Sequence, residues 1–417
     1  NFMKDYSNIV SYLKLRGSVG KTGSQNLGAY DWRTLMGSAT YNGAAGIVPS
    51  SLGNDILQWE EQIQKEVGLD YGFWDDRIRG TLGYYQKKVD NLLYSDPVPT
   101  SSSFSSVYQN IGSLKNRGIE FDVRVDIIKN APKDLTWNVD FNIARNRTTL
   151  EKLNSSDGYF GGGAYDYFKI EEGGETGRFY GYKDAGRLFM TNEELVGLKT
   201  IDPKTGTLKY YRDDYNYERQ GDVYIMDLDG DGQITADGDR TVIGNANPDF
   251  FGGFGSTLYW KGLMLNAVFS YSVGGDRFWD EEKNSSGDMN VYNTSNRILD
   301  SWTVNPGVNA SYPRAMYYGW GSNSIITDRY IHDASYLRMT ALNLSYRLPK
   351  HLYKNSILNA VEFTFQATNL FTWTKYPGMD PQGNFSTTYS AFYNMGIDYS
   401  TYPSARTYNF GIKLTLK

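Results

Sequence analysis

Strict alternation of apolar and polar residues constrains the fold of this chain more than any other feature. Near the end of the chain, one face of residues 406–417 carries Tyr408, Phe410, Ile412, Leu414 and Leu416. Because successive side chains of a strand point to opposite faces, this period of two predicts a strand with one apolar and one polar face. The same period predicts an all-β chain with strands at residues 13–19, 67–73, 79–89, 119–127, 137–144, 254–260, 263–273, 342–348, 361–367 and 406–417.

Composition excludes two classes of protein. The 417 residues include 35 Tyr, 20 Phe, 9 Trp and 44 Gly but no Cys. No window reaches the roughly 18 consecutive apolar residues of a membrane helix, so a helical membrane protein is excluded. A transmembrane barrel is not excluded, because its strands need only about 9–11 residues, half of them polar. The net charge of −5 offers no basic surface for nucleic acid.

The connections between the predicted strands alternate between short and long. Short connections lie at residues 75–78, near 130–133, at 261–262 and at 349–359, and long ones at 21–57, 90–113, 147–249, 274–334 and 374–404. Outer-membrane barrels have short periplasmic turns and long external loops. If the short turns are periplasmic, the first strand runs outward and the tenth runs inward, which gives an even count. An additional strand at residues 178–189 would break this parity, so we assign those residues to the external loop region 147–249.

A soluble β-sandwich is the alternative architecture. In a sandwich the apolar faces would meet a second sheet and the polar faces would meet water. Such a protein would lie on the cell surface and bind or hydrolyse polysaccharide without transporting it. The alternation of connection lengths favours the antiparallel transmembrane β-barrel.

Residues 227–234 carry the sharpest chemical motif, Asp-Leu-Asp-Gly-Asp-Gly-Gln-Ile. The spaced carboxylates of Asp227, Asp229 and Asp231, a glycine at the sixth position and the backbone carbonyl of Gln233 at the seventh match a Ca²⁺ loop. The twelfth position falls on a glycine, so the closing ligand must be Asp237 or Asp239. The alternative is a turn held by hydrogen bonds from Asp side chains to the backbone, without an ion.

Aromatic residues are dense in the long connections. Flat rings suit sugar faces and tyrosine hydroxyls can bond sugar hydroxyls, which makes these residues candidates for substrate contact. The candidates are Tyr165, Tyr167, Tyr317, Tyr318 and Trp320. The alternative is that the rings pack the loops together.

The two histidines do not form a shared site. His332 lies beside a long connection and His351 lies in a short one, so the two would be on opposite sides of the membrane. The sequence therefore predicts no enzyme.

Several stretches resemble one family in its own order. They are residues 13–23, 110–121, 221–232, 335–339, 368–372 with 375–380, and 402–407, and together they resemble the C-terminal half of the SusC/RagA-like TonB-dependent transporters of Bacteroidetes. The resemblance implies a Gram-negative outer-membrane barrel in lipid with about twice these strands, so residues 1–417 are interpreted as the C-terminal part of the barrel. It also implies an N-terminal plug domain and a TonB-binding motif, which are absent from this chain. The implied function is TonB-energised import of oligosaccharides or peptides captured by a SusD-like lipoprotein.

Overall fold

Twenty-five strands account for most of the described chain. The computed structural model describes residues 8–24, 27–131, 134–153, 159–161, 167–191, 194, 200–201, 208–209, 219–287, 293–307, 309–315, 323, 325–354, 356–383 and 395–416. The strands are β1 (Val10–Ser24), β2 (Met36–Tyr41), β3 (Ala44–Pro49), β4 (Glu60–Phe73), β5 (Ile78–Asp90), β6 (Leu93–Pro97), β7 (Ser106–Asn110), β8 (Gly112–Ala131), β9 (Leu135–Leu153), β10 (Tyr159–Gly161), β11 (Phe168–Ile170), β12 (Arg178–Gly181), β13 (Asp184–Leu188), β14 (Thr200–Ile201), β15 (Leu208–Lys209), β16 (Val223–Ile225), β17 (Thr241–Asn245), β18 (Phe250–Trp260), β19 (Leu263–Val273), β20 (Asp276–Trp279), β21 (Ile331–Asp333), β22 (Tyr336–Arg347), β23 (Leu358–Thr374), β24 (Ile397–Asp398) and β25 (Thr407–Leu416).

Helical structure in the described residues is short. Helix α1 (Ala236–Asp239) and helix α2 (Asp280–Glu282) each make about one turn, and a π-helical turn spans Lys283–Gly287. The 3₁₀ turns lie at Thr100–Ser102, Asn296–Asp300, Asp328–Tyr330 and Lys350–Tyr353. Within the described ranges, no helix is long and apolar enough to cross a membrane.

Ten strands form one sheet, which we call the wall sheet. Its order, β1-β4-β5-β8-β9-β18-β19-β22-β23-β25, follows the chain, and its members are the ten strands that alternation predicted. The prediction of ten strands is therefore confirmed. Several of them extend further than predicted: β9 continues to Leu153, so the long connection after it begins later than residue 147.

The chain divides into two compact units, and the first contains β1, β4, β5, β8 and β9. The antiparallel register in this unit aligns residues of the same face in rows across the sheet, for example Gly17, Val67, Tyr84 and Ile119. The next row is Leu15, Leu69, Leu82 and Phe121. Because the side chains of these rows are mainly apolar, we call this side of the sheet the apolar face. The opposite side is called the polar face.

The second unit contains β18, β19, β22, β23 and β25, again paired antiparallel. One row of its apolar face is Leu258, Leu265, Leu344, Phe365 and Phe410. The register of β22 shifts at Thr340, whose hydroxyl donates to the carbonyl of Val268 at 3.1 Å. This bulge moves the apolar side chains from odd positions before Thr340 to even positions after it, which is why alternation alone detected only residues 342–348.

The long connections of the second unit contain hydrophobic cores of their own. One cluster contains Tyr167, Phe179, Phe278, Tyr330 and Ile397, all of them nearly inaccessible to solvent. Residues 178–189 form β12 and β13, which pair with β17 and β16 and not with the wall sheet. Residues 178–189 therefore add no strand to the wall sheet, and the even count of ten strands is kept.

Candidate functional site

Two buried isoleucines hold the ends of the predicted calcium loop. Ile225, at the end of β16, and Ile234, just before α1, are 0% and 1% exposed and pack in one cluster with Leu188, Phe189 and Val223. The residues between these anchors, such as Asp229 and Asp231, are exposed. Burial of the two ends fixes the span of the loop and leaves its carboxylates at the surface.

Turns of the loop are closed by its own aspartates. The carboxylate of Asp227 accepts the backbone N–H groups of Gly230 at 2.6 Å and Gly232 at 2.8 Å. Both glycines have positive φ, of 76° and 82°, where a Cβ would be strained. The carboxylate of Asp231 accepts the N–H of Gln233 at 2.8 Å. The sequence therefore produces a tight acidic turn.

Asp239 closes the carboxylate cluster. Oxygen atoms of Asp227, Asp229 and Asp239 all lie within 4.8 Å of one another, whereas Asp237 is exposed and outside this group. Asp239 is fully buried and accepts the N–H groups of Leu228 at 2.6 Å and Thr235 at 2.7 Å. Of the two closing candidates, the structure brings only Asp239 to the cluster. Asp231 also lies outside the group of three.

A glycine occupies the twelfth position, where calcium loops commonly carry a bidentate glutamate. A Cβ built on Gly238 would lie 2.3 Å from Oδ2 of Asp229, so the Asp229 side chain would have to shift to admit a larger residue. The carboxylate of the next residue, Asp239, joins the cluster instead. The three donors that converge are carboxylate oxygens, which fit a hard cation such as Ca²⁺.

Tyr167 lies inside the protein. Its side chain is 0% exposed, its hydroxyl donates to Oδ1 of Asp280 at 3.0 Å, and its ring meets Phe278 edge-on at 4.8 Å. Burial raises the pKa of Asp280 above its usual value, and nearby Lys283 opposes this shift. The Tyr167 ring therefore packs the loop core and is not presented to a substrate. The other candidates, Tyr165, Tyr317, Tyr318 and Trp320, lie outside the described residues.

Sequence reasoning missed a buried ion pair that joins three of the stretches that carry the family resemblance. Arg338 and Asp380, each 4% exposed, are linked by Nη2 and Oδ1 at 2.6 Å. Arg338 Nη1 also donates to Gln382 at 2.6 Å and to the hydroxyl of Ser404 at 3.1 Å. Burial alone would raise the pKa of Asp380, but hydrogen bonds from Arg338 and two backbone N–H groups hold it below its usual value. We call this group the Arg338 latch.

A second buried ion pair that the sequence did not predict lies just before the predicted calcium loop. Asp222 is fully buried and its carboxylate accepts Nη2 of Arg314 at 3.1 Å and Nδ2 of Asn323 at 2.7 Å. Burial raises the pKa of Asp222 and the bond from Arg314 counteracts it. These partners are about a hundred residues away in sequence, so the only signal in the chain was the stretch 221–232 itself.

Comparison of the sequence with protein-family profiles identifies the class of protein. Residues 6–370 match the profile of the family described as TonB dependent receptor-like, beta-barrel. The chain therefore belongs to that family of outer-membrane β-barrels, and the wall sheet is part of an antiparallel transmembrane barrel. The β-sandwich alternative is wrong.

Individual relatives agree with the class. The chain is 32% identical to TonB-dependent receptor P3 of Formosa agariphila, over 99% of this chain and 40% of the relative. It is 29% identical to TonB-dependent receptor SusC of Bacteroides thetaiotaomicron, over 99% of this chain and 38% of the relative. A solved structure of the RagAB peptide transporter matches 98% of this chain and 41% of its own, with 27% identity and a TM-score of 0.72. The SusC/RagA-like resemblance is confirmed, and the chain spans about two fifths of these relatives' length.

Proposed function

We propose that the chain forms part of the wall of an outer-membrane importer energised through TonB. The observation that carries this proposal is the match of 98% of the chain to the RagAB peptide transporter, at a TM-score of 0.72. The substrate class we propose is oligosaccharides or peptides. The similarity to SusC and to RagAB also supports a SusD-like lipoprotein as the partner that captures substrate.

The long connections supply the proposed substrate-facing surface. Clusters of buried aromatic and aliphatic side chains hold the described parts of these connections in a folded structure. We propose that Tyr165, Tyr317, Tyr318 and Trp320 contact substrate. Tyr167 is left out of this set because its side chain is buried and its hydroxyl is bonded to Asp280. Rings suit the flat faces of sugars and the apolar side chains of peptides alike.

We further propose one structural Ca²⁺ in the acidic loop. Asp227, Asp229 and Asp239 converge, and three carboxylates so close repel one another unless a cation compensates. Asp231 and the carbonyl of Gln233 complete the oxygen set in this proposal, while Asp237 has no part in it. The ion would stiffen residues 219–240 without taking part in chemistry.

Uptake by living cells tests the import function. In a strain lacking the gene, accumulation of labelled oligosaccharides and peptides should fall for one substrate class and return when the full-length gene is restored. A protonophore should abolish the same uptake, because TonB transmits the energy of the inner-membrane proton gradient. Uptake that survives both gene loss and protonophore would contradict the proposal.

Cysteine labelling tests the orientation independently of transport. Cysteines introduced at Gly162, Asn284 and Ser386, in long connections, should react with an impermeant maleimide on intact cells. Cysteines at Lys133 and Lys354, in short connections, should react only after the outer membrane is opened. Labelling of Lys354→Cys from outside intact cells would reverse the assigned orientation.

A further inference from the structure

Two cations that have no ion-pair partner among the described residues share one row across the apolar face of the first unit. The register aligns Val19, Lys65, Gln86 and Arg117 on β1, β4, β5 and β8. We call it the cationic row. Lys65 and Arg117 are exposed, and neither forms an ion pair with any residue in the described part of the chain.

In the neighbouring row of the same face, each lysine does have an ion-pair partner. One step further from the short turns, Lys21, Lys88 and Lys115 also lie on the apolar face. Each has a carboxylate: Lys21 pairs with Glu61 at 2.8 Å, Lys88 with Asp90 at 2.8 Å, and Lys115 with Glu151 at 3.1 Å. We call this the paired row. The protein thus neutralises one row of cations and leaves the adjacent row uncompensated.

The height of the cationic row matches the edge of the hydrocarbon layer. From Lys65 to Phe73, the last residue of β4, there are nine residues, close to the 9–11 or so that cross the bilayer. The face between them, with Val67, Leu69 and Tyr71, is apolar. Lys65 and Arg117 therefore lie where lipid headgroups begin, on the side of the long connections.

Lys65 and Arg117 are spaced to share one anion. They occupy strands on either side of β5, so about 10 Å separates their backbones, at two strand spacings of roughly 4.8 Å. Both side chains are long enough to reach over Gln86, which lies between them and offers an amide for further hydrogen bonds. A phosphate at this place would receive charge-assisted hydrogen bonds from both sides.

An apolar groove lies next to the cationic row, on the side toward the short turns. It has a volume of about 370 Å³ and is lined by Gly17, Ser18, Val19, Lys65, Glu66, Val67 and Tyr84. The carboxylate of Glu66 is paired with Arg16 at 2.7 Å. The groove exists because Gly17 places no side chain in the row that Val67 and Tyr84 share. Its apolar walls suit an acyl chain, and Lys65 stands at its rim.

We propose that this surface binds a phosphorylated, acylated glycolipid of the outer leaflet, with the phosphate between Lys65 and Arg117 and an acyl chain in the Gly17 groove. Charge complementarity selects an anion, and the apolar groove below the cations selects one that carries a hydrocarbon chain. The proposal requires only that the wall lies in the outer membrane. Its failure would leave the import function untouched, and the reverse also holds.

Lipid retention by the purified protein tests the proposal. The full-length protein in detergent would be titrated with lipid A that carries a phosphate, and bound lipid counted by native mass spectrometry. Lys65→Gln with Arg117→Gln should weaken binding roughly 30-fold, since each cation beside an anionic lipid contributes a factor of about five. Lys88→Gln, which removes a cation of the paired row, is the matched control and should leave binding unchanged.

Additional variants separate the contributions of chain and headgroup. Gly17→Leu fills the groove, keeps both cations and should weaken binding of lipid A, and millimolar inorganic phosphate should not compete. Dephosphorylated lipid A should bind as weakly as the double variant. The proposal is overturned if the double variant binds like the parent protein or if phosphatidylglycerol binds as tightly as lipid A. It is also overturned if the double variant changes the oligomeric state and not lipid retention, because the surface would then contact a second copy of the chain.

Discussion

The walls of the two units use the same alternation but differ in the residues beyond the apolar rows. In the second unit the apolar face stays apolar to the far end of the strands, where Tyr271, Leu337 and Trp373 share a row. In the first unit the apolar rows give way to the cationic and paired rows. The strands of the first unit have 13 to 20 residues, whereas four of the five in the second unit have 10 to 12 and only β23 reaches 17. Only about 9–11 residues are needed to cross the bilayer, and in the first unit the extra length carries charge.

The length of a strand and the length of its membrane segment are therefore separate quantities. The apolar rows mark the part of each strand that lies in hydrocarbon, because a charge there is costly. Where a strand continues past them, its outward side chains become polar, as Lys88 and Lys115 do. The apolar face of the first unit should therefore tolerate a charged side chain near the strand ends that lead into the long connections. The same position in the second unit should not.

Arginine substitution on the apolar face should produce the largest effect. Phe365→Arg, in the second unit, should cost about 2–4 kcal/mol of unfolding free energy, because the guanidinium would enter hydrocarbon. Gln366→Arg, its neighbour on the polar face, is the control and should cost far less. Urea titration of the protein folded into lipid vesicles measures both, and equal costs for the two variants would refute the assignment of faces.

Loss of the Arg338 latch should have the next largest effect. Arg338→Met leaves the buried Asp380 carboxylate unpaired and should cost about 3 kcal/mol. The double variant Arg338→Met with Asp380→Leu should recover much of this loss, since it removes the orphaned charge. The pKa of Asp380 is lowered in the folded state. Asp380 should therefore contribute to the free energy of unfolding at pH values above its pKa in the unfolded chain. This contribution should be lost as the pH falls through its pKa in the folded protein.

Hydrogen exchange in residues 375–383 and 395–406 reads this effect locally. A single variant as protected as the parent protein would show that the pair does not hold these residues. As a comparison, Arg16→Gln removes an exposed pair with Asp70 on the polar face of the first unit, and it should leave exchange nearly unchanged.

Removal of calcium should have a smaller, local effect. A chelator should speed proteolysis within residues 219–240 in the parent protein and in Asp237→Asn, because Asp237 lies outside the cluster. Asp239→Asn should be cleaved rapidly with or without chelator, since the closing carboxylate is gone. The wall strands should resist in every case, because their own ladder of hydrogen bonds holds them. If no calcium is bound and chelator has no effect, the loop is a turn held by its own hydrogen bonds.

Charge changes in the paired row should matter least. Lys88→Gln removes ion pairs with Asp90 and Glu151 whose side chains are all about one third exposed. Such pairs contribute about 0–1 kcal/mol, and screening by salt reduces this further. Urea titration at low and high salt should show a difference of a few tenths of a kcal/mol at most, by the same principle. A cost comparable with that of Phe365→Arg would mean that the paired row lies in hydrocarbon.

Local pattern was enough for the wall strands but not for the sites. Alternation is a property of neighbours in sequence, so residues 254–260 and 263–273 could be assigned to strands without their partners. The acidic loop of residues 227–239 was partly predictable because its turns are local, as the bond from the Gly232 N–H to Asp227 shows. The choice between Asp237 and Asp239 was not, since it depends on which carboxylate the folded chain brings to Asp227 and Asp229.

By itself, the sequence determined the ten wall strands, their two faces and the acidic turn, because each of these follows from spacings of a few residues. Only the tertiary structure decided which residues meet across the sheet and across the connections. Register placed Lys65 in a row with Arg117, the bulge at Thr340 shifted the faces of β22, and the fold of the last connections brought Asp380 to Arg338. Each of these depends on contacts between residues distant in sequence, whose positions no local period fixes.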